Sequence, residues 1–228
     1  MYDTIIFDCD GTLVDSEKLN NKACADSLVK NGVTAYSYDY VLNNFGGMTM
    51  NDIRALVHKE QGVMLPDAFI SDFIELAHAY KKTGLEEVEG ALAAIDALQK
   101  NFKTCVASNG ERSLVFESLR VTGMFDRFED ERTFTRIQVP RGKPAPDLFL
   151  FAAEKLGTTP DKCIVIEDSP SGVMAGVAAK MHVIGFTGAH HDDLGATKLS
   201  VAGAQVICHS WPEILHYISS LTVTKAAM

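Results

Sequence analysis

The sequence has no basic surplus, no closely spaced cysteines and no long apolar run. Its 228 residues carry 21 lysines and arginines against 30 aspartates and glutamates, a formal net charge of −9. That shortage of positive charge excludes the broad basic face demanded by a nucleic-acid backbone or an anionic membrane, so neither is expected as a partner. The five cysteines, Cys9, Cys24, Cys105, Cys163 and Cys208, are scattered, odd in number and never spaced CxxC. This argues against a disulfide framework or a zinc cluster, and for buried thiols in a reducing, cytoplasmic setting. The longest unbroken apolar stretch covers only residues 148–153, far below the ~20 residues of a membrane span. Met1-Tyr2-Asp3 lacks the basic-then-apolar order of a secretory signal. With 46% hydrophobic and 22% charged residues, the chain can bury a sizeable core, which sets aside the disordered and fibrous classes.

Four short runs, residues 4–8, 104–107, 163–166 and 183–186, are apolar at nearly every position, as strands covered on both faces are. Helical stripes lie between them: Leu92, Ile95 and Leu98, then Leu148, Phe151, Ala152 and Leu156. Ser169-Pro170 reads as an N-cap followed by the first helical position, and Ala145-Pro146 places proline at another helix start. Strands alternating with helices predict an α/β fold with a doubly wound parallel sheet. Residues 205–208 add an edge strand, and Trp211 packs a last helix. The interval 16–82 interrupts this rhythm with helical patterns alone, at 17–30, 51–60 and 66–81; in the last, Phe69, Phe73, Leu76 and Tyr80 recur at helical spacing. The expected organisation is therefore a core of residues 1–15 and 83–228, with a small helical domain, 16–82, inserted after the first strand.

Chemistry-bearing residues gather where these strands end. Asp8-Cys9-Asp10-Gly11-Thr12 follows the first run directly, at the strand edge where open α/β sheets bind ligands. On a continuing strand Asp8 and Asp10 would share a face and Cys9 would point to the core; an Asp-Gly turn alone would not require two acids. Glu167-Asp168 closes another run. If the two strands are neighbours, four carboxylates converge. Like charges about 4 Å apart repel by roughly 4 kcal/mol at an effective dielectric of 20, so protons or a cation must neutralise the cluster, and a hard, oxygen-rich site suits Mg²⁺. Ser108-Asn109-Gly110, before a helix expected from Glu111, offers a hydroxyl and backbone N–H groups to an anion. Gly142-Lys143-Pro144 sets a lysine in a constrained turn; Pro144 stands where a phosphate-binding Walker loop needs Ser or Thr. Together these supply a nucleophile, an acid, a metal cluster, an anion-binding hydroxyl and a countercharge, the parts of a phosphoryl-transfer site. His190-His191-Asp192-Asp193 reads instead as a solvated loop, since adjacent side chains do not readily converge on one ion.

The order of Phe7-Asp8-Cys9-Asp10-Gly11-Thr12-Leu13-Val14-Asp15-Ser16-Glu17, then Ser108-Asn109-Gly110, Gly142-Lys143-Pro144 and Glu167-Asp168, resembles the haloacid dehalogenase superfamily. It is similar to the branch with a helical cap inserted after the first strand, which includes sugar phosphatases and β-phosphoglucomutase. The resemblance implies that Asp8 attacks the phosphoryl group to form an aspartyl-phosphate. Asp10 then serves as acid to the leaving oxygen and base to the incoming water. It implies Mg²⁺ held by the Asp8 carboxylate, the Asp10 carbonyl and Asp168, with Glu167 in support, and phosphoryl oxygens held by Ser108, Asn109 and Lys143. The inserted domain becomes a cap that closes over the site and sets specificity around Asn20, Gly47 and Thr49.

Asp10 argues against a dehalogenase, because halide needs no proton on leaving. A phosphosugar mutase is the alternative. There Asn20 stands where β-phosphoglucomutase carries a histidine, and Phe45-Gly46-Gly47-Met48-Thr49-Met50 lacks that family's basic cap residues. A catalytically silent binding protein would be marked by loss of Asp8, Asp10, Lys143 or Asp168, and all four are present. The expectation is a cytoplasmic, monomeric, Mg²⁺-dependent phosphatase of a small phosphorylated metabolite, a sugar or sugar-acid phosphate.

Overall fold

The computed structural model describes residues 1–46, 48–189 and 194–223. Gly47 and residues 190–193, expected as a loop, therefore lie outside the described residues. The chain divides into two compact units, one of Met1–Asp15 with Glu86–Met228, the other Ser16–Leu85.

The first unit opens with strand β1 (Thr4–Phe7), every residue of which is buried. Among the described residues the second unit has four helices: α1 (Glu17–Lys30), α2 (Tyr38–Asn44), α3 (Met50–Gln61) and α4 (Ala68–Gly84). Its own apolar core joins Leu28, Val41, Ile53, Val57 and Phe69, with Phe73 packed against it. Phe69 and Phe73 of the stripe thus serve packing, while the Tyr80 hydroxyl donates to Asp26. The sequence pattern missed α2, whose only buried residue is Val41; a seven-residue helix with one inward apolar position carries no periodicity to read.

The first unit resumes with α5 (Ala91–Leu98), β2 (Lys103–Ser108), α6 (Arg112–Val121), α7 (Phe125–Phe128), β3 (Thr133–Thr135) and α8 (Asp147–Lys155). It ends with β4 (Cys163–Glu167), α9 (Pro170–Ala178), β5 (His182–Phe186), α10 (Gly195–Ala202), β6 (Val206–Cys208) and α11 (Trp211–Val223). The six strands form one sheet in the order β3-β2-β1-β4-β5-β6, parallel throughout. This is the doubly wound α/β fold expected from the alternating pattern.

Apolar residues fill both faces of the sheet. On one, Ile6, Cys105, Val165 and Val183 pack with Leu148, Phe149, Ala152 and Val173 from α8 and α9. Elsewhere Trp211 is buried against Phe7 and Phe186, with ring centroids 5.9 and 5.1 Å away. Trp211 thus anchors α11 to the sheet at strands β1 and β5. Ser169 caps α9 by accepting the Gly172 N–H at 3.1 Å, with Pro170 at the first helical position.

Two local readings change. β1 stops at Phe7, so Asp8 and Asp10 do not share the face of a continuing strand. The chain turns instead: Gly11 takes φ +81°, and the N–H groups of Leu13 and Val14 both return to the Cys9 carbonyl, at 2.9 and 3.1 Å. Cys9 is buried, as its expected packing role requires. The helix expected from Glu111 starts at Arg112, because the Glu111 carboxylate is its cap, accepting the Ser113 N–H at 2.7 Å.

Candidate active site

The chain builds outward from β1 in both directions, to β2 and β3 on one side and then to β4, β5 and β6 on the other. The crevice at such a reversal of strand order, beyond the strands' carboxyl ends, is where this architecture binds ligands. Phe7 is in register with Ile166, and the Asp8 N–H donates to the Ile166 carbonyl at 3.0 Å. Asp8, just past β1, therefore comes beside Glu167 and Asp168 at the end of β4. The three carboxylates each place an oxygen within 4.8 Å of the others.

Lys143 enters from the loop before α8. Its buried Nζ donates to Asp8 Oδ1 at 2.5 Å and to Glu167 Oε1 at 2.6 Å, and it lies 4.9 Å from the Phe149 ring centre. Burial alone would lower the Lys143 pKa, but Asp8 and Glu167 more than offset it and hold the ammonium above the ordinary lysine range. Burial pushes the Asp8 carboxyl up, Glu167 and Asp168 add to that, and Lys143 pulls the other way. The second Glu167 oxygen accepts from the Ser169 N–H and hydroxyl, both at 2.9 Å. Glu167 is thus fully buried with both oxygens engaged, which suits it to hold Lys143 and support a cation more than to ligate one directly.

Asp168 leans onto the loop after β1. Its Oδ1 accepts from the Thr12 hydroxyl at 3.2 Å, and a Cβ on Gly11 would stand 2.1 Å from its Oδ2. Asp10 turns toward the loop after β2: a Cβ on Gly110 would meet Ser108 Oγ at 3.1 Å and Asp10 Oδ2 at 3.3 Å. Ser108 is buried and its Oγ accepts the Gly110 N–H at 3.0 Å. Asn109, expected to hold a phosphoryl oxygen, directs its amide elsewhere: Nδ2 donates to the Lys143 carbonyl and Oδ1 accepts from the Lys143 N–H, each at 2.9 Å. The sequence showed no sign of this pairing, because its partner is a backbone peptide 34 positions away.

Asp8, Glu167 and Asp168 carry three formal negative charges against the one positive charge of Lys143, a surplus of two. One divalent cation would cancel it, and the hard oxygens of one or two carboxylates, with positions left for water, are what Mg²⁺ takes. The residues present therefore fit the expected metal.

In the helical unit, Asn20 donates to Ser16 Oγ at 3.3 Å, while its own Oδ1 is buried with no hydrogen-bond partner. Thr49 is the N-cap of α3 in a reciprocal box with Asp52. Its Oγ1 donates to Asp52 Oδ2 at 2.7 Å and accepts the Asp52 N–H at 3.2 Å. The structure thus commits the Thr49 hydroxyl to capping, a use the specificity reading did not weigh. Among the described residues, no helix is long and apolar enough to cross a membrane.

The family model for haloacid dehalogenase-like hydrolases matches residues 2–180. A 6-phosphogluconate phosphatase of Escherichia coli (strain K12) is 31% identical over 197 residues, 83% of this chain and 85% of that protein. Hexitol phosphatase A of the same strain is 27% identical over 232 aligned positions, covering 96% of this chain and 93% of that one. A HAD family hydrolase from Deinococcus radiodurans R1, solved with bound phosphate and sodium, superposes with a TM-score of 0.76 at 30% identity, over 96% of each chain. The chain belongs to the haloacid dehalogenase-like hydrolases.

Proposed function

We propose that this phosphoric-monoester hydrolase cleaves a small phosphorylated sugar or sugar acid, with Mg²⁺, through a phosphoaspartyl intermediate on Asp8. The observation that carries the reading is the convergence of Asp8, Glu167 and Asp168 around Lys143 at the reversal point of the sheet.

In this reading an Asp8 oxygen bonds to phosphorus as the ester P–O bond breaks, and Asp10 gives its proton to the departing alkoxide. Water then attacks phosphorus and passes a proton to Asp10, releasing phosphate and restoring the Asp8 carboxylate. Ser108 and Lys143 hold the phosphoryl oxygens, and the fixed ammonium is already oriented before charge develops. Asp8 and Asp168, with the Asp10 carbonyl, would hold Mg²⁺, and Glu167 would keep Lys143 and the cluster in place. When bound, the cation supplies charge compensation at the phosphoryl oxygens.

The helical unit is read as the cap. The buried, unpartnered Oδ1 of Asn20 offers an acceptor to a substrate hydroxyl, consistent with the sugar-acid and hexitol substrates named for the two Escherichia coli relatives.

The test is phosphate release from a panel of phosphorylated metabolites, with Mg²⁺ or with excess chelator, using Asp8→Asn protein as the blank. Mg²⁺-dependent release confined to the wild type, strongest with sugar or sugar-acid phosphates, is expected. Turnover by pure Asp8→Asn protein would refute the covalent step. Isomerised sugar phosphate with little free phosphate would replace the phosphatase with a mutase, and a nucleotide or phosphoprotein as best substrate would refute the substrate class.

A further inference from the structure

We infer that Asn109 is a positioning residue that fixes the backbone of Lys143 against the Ser108 loop, and that it does not bind substrate itself. This rests on the phosphoryl-transfer reading above and extends it to how the lysine is held in place.

One planar side-chain amide meets both polar atoms of the Lys143 residue. Nδ2 donates to its carbonyl and Oδ1 accepts its N–H, each at 2.9 Å. This is the pairing a neighbouring strand would give, supplied here by a side chain. No local duty explains an asparagine at this position. Glu111 caps α6 by accepting the Ser113 N–H, and Ser108 Oγ accepts the Gly110 N–H, so the turn is closed by other groups. The residue before Lys143 also leaves room for the amide. A Cβ on Gly142, the residue before Lys143, would stand 2.5 Å from Asn109 Oδ1.

The far end of Lys143 shows why such a clamp matters. Its Nζ is held by Asp8 and Glu167, and Asp8 is the group that must be released to attack phosphorus. As the ammonium exchanges Asp8 for phosphoryl oxygens it loses one of its two side-chain anchors. A lysine stem has several rotatable bonds, so a freely moving backbone would let the ammonium drift. The Asn109 clamp fixes the base of that stem throughout, and it ties Lys143 to the loop that presents Ser108. The two groups assigned to the phosphoryl oxygens are thereby set at a fixed spacing. Small misplacements of such groups cost rate steeply, about 10²-fold for 1 Å.

The experiment compares five proteins: wild type, Asn109→Ala, Asn109→Asp, Lys143→Met and the double variant Asn109→Ala with Lys143→Met. Each is assayed for kcat/KM on the best phosphomonoester and for affinity toward inorganic phosphate by calorimetry in Mg²⁺. Asn109→Ala should lower kcat/KM about 10- to 100-fold and weaken phosphate binding in the wild-type background. In the Lys143→Met background it should weaken phosphate no further, because a residue acting only through Lys143 has nothing left to position. Asn109→Asp retains the acceptor for the Lys143 N–H but turns a carboxylate toward the Lys143 carbonyl, and it should be impaired at least as much as the alanine variant. Equal losses of phosphate affinity in both backgrounds would overturn the inference, as would unchanged turnover and binding in Asn109→Ala. A wild type that binds phosphate yet hydrolyses no phosphomonoester would refute the proposed activity instead, leaving the phosphate-binding cycle to decide the role of Asn109.

Discussion

A Cβ placed on Gly11 would stand 2.1 Å from Oδ2 of Asp168, so the absence of a side chain at Gly11 is what admits this carboxylate to the cluster around Asp8. The same residue takes φ +81°, a conformation that costs an L-residue about 1–2 kcal/mol. Two demands, backbone shape and clearance, meet in one glycine.

Gly11→Ala should therefore act on metal use before it acts on the fold. The added methyl must displace the Asp168 carboxylate, and shifts of this kind around metal ligands cost about 10- to 100-fold in affinity or activity. The Mg²⁺ concentration for half-maximal phosphate release should rise by at least about tenfold, with a modest fall in melting temperature. An unchanged Mg²⁺ requirement in a folded variant would remove Asp168 from the metal site.

The contrast between Gly11 and Asn109 shows what a sequence discloses. The apolar strand Thr4–Phe7 followed at once by Asp8, Asp10 and Gly11 was legible because strand, turn and acids are contiguous. The pattern over 17–30 matches the observed helix Glu17–Lys30, and the apolar run before Glu167 matches the fully buried strand Cys163–Glu167. What stayed hidden depends on partners distant in the chain or on elements too short for a period. β3 is three residues, Thr133–Thr135, and takes its strand form from pairing with β2. The family resemblance implies a phosphoryl ligand at Asn109; only the fold brings the Lys143 backbone against its amide.

Thr49 offers a direct contest between capping and substrate recognition. Its hydroxyl and its N–H both engage Asp52, and these bonds hold the Asp52 carboxyl below its usual range. Loss of such a cap costs about 1 kcal/mol, whereas asparagine caps as well as threonine. Thr49→Ala should lower the unfolding free energy by that amount, read as a shifted denaturant midpoint at unchanged slope, while Thr49→Asn should keep both wild-type stability and wild-type KM. A severalfold rise in KM for the stable Thr49→Asn protein would show that the threonine contacts substrate after all.

His182 should make the fold sensitive to mild acid. Its Nε2 lies 3.0 Å from the Tyr217 hydroxyl, the two rings stack with centroids 5.8 Å apart, and Tyr2 covers it at 5.4 Å. No carboxylate is among these neighbours, and burial lowers the imidazole pKa below the ordinary histidine range. The folded chain thus binds this proton less readily than the unfolded chain does. As pH falls through the unfolded value near 6.5 the unfolded state takes up the proton first, so stability contributed by the neutral ring is full above that pH and declines below it. His182→Phe keeps a flat ring against Tyr217, loses the hydrogen bond at every pH and cannot titrate. Melting temperatures of the two proteins between pH 8 and pH 5 should therefore converge or cross as the solution is acidified, the variant gaining relative to wild type below about pH 6.5. A constant difference across that range would show that His182 binds its proton equally well in the folded and unfolded chains.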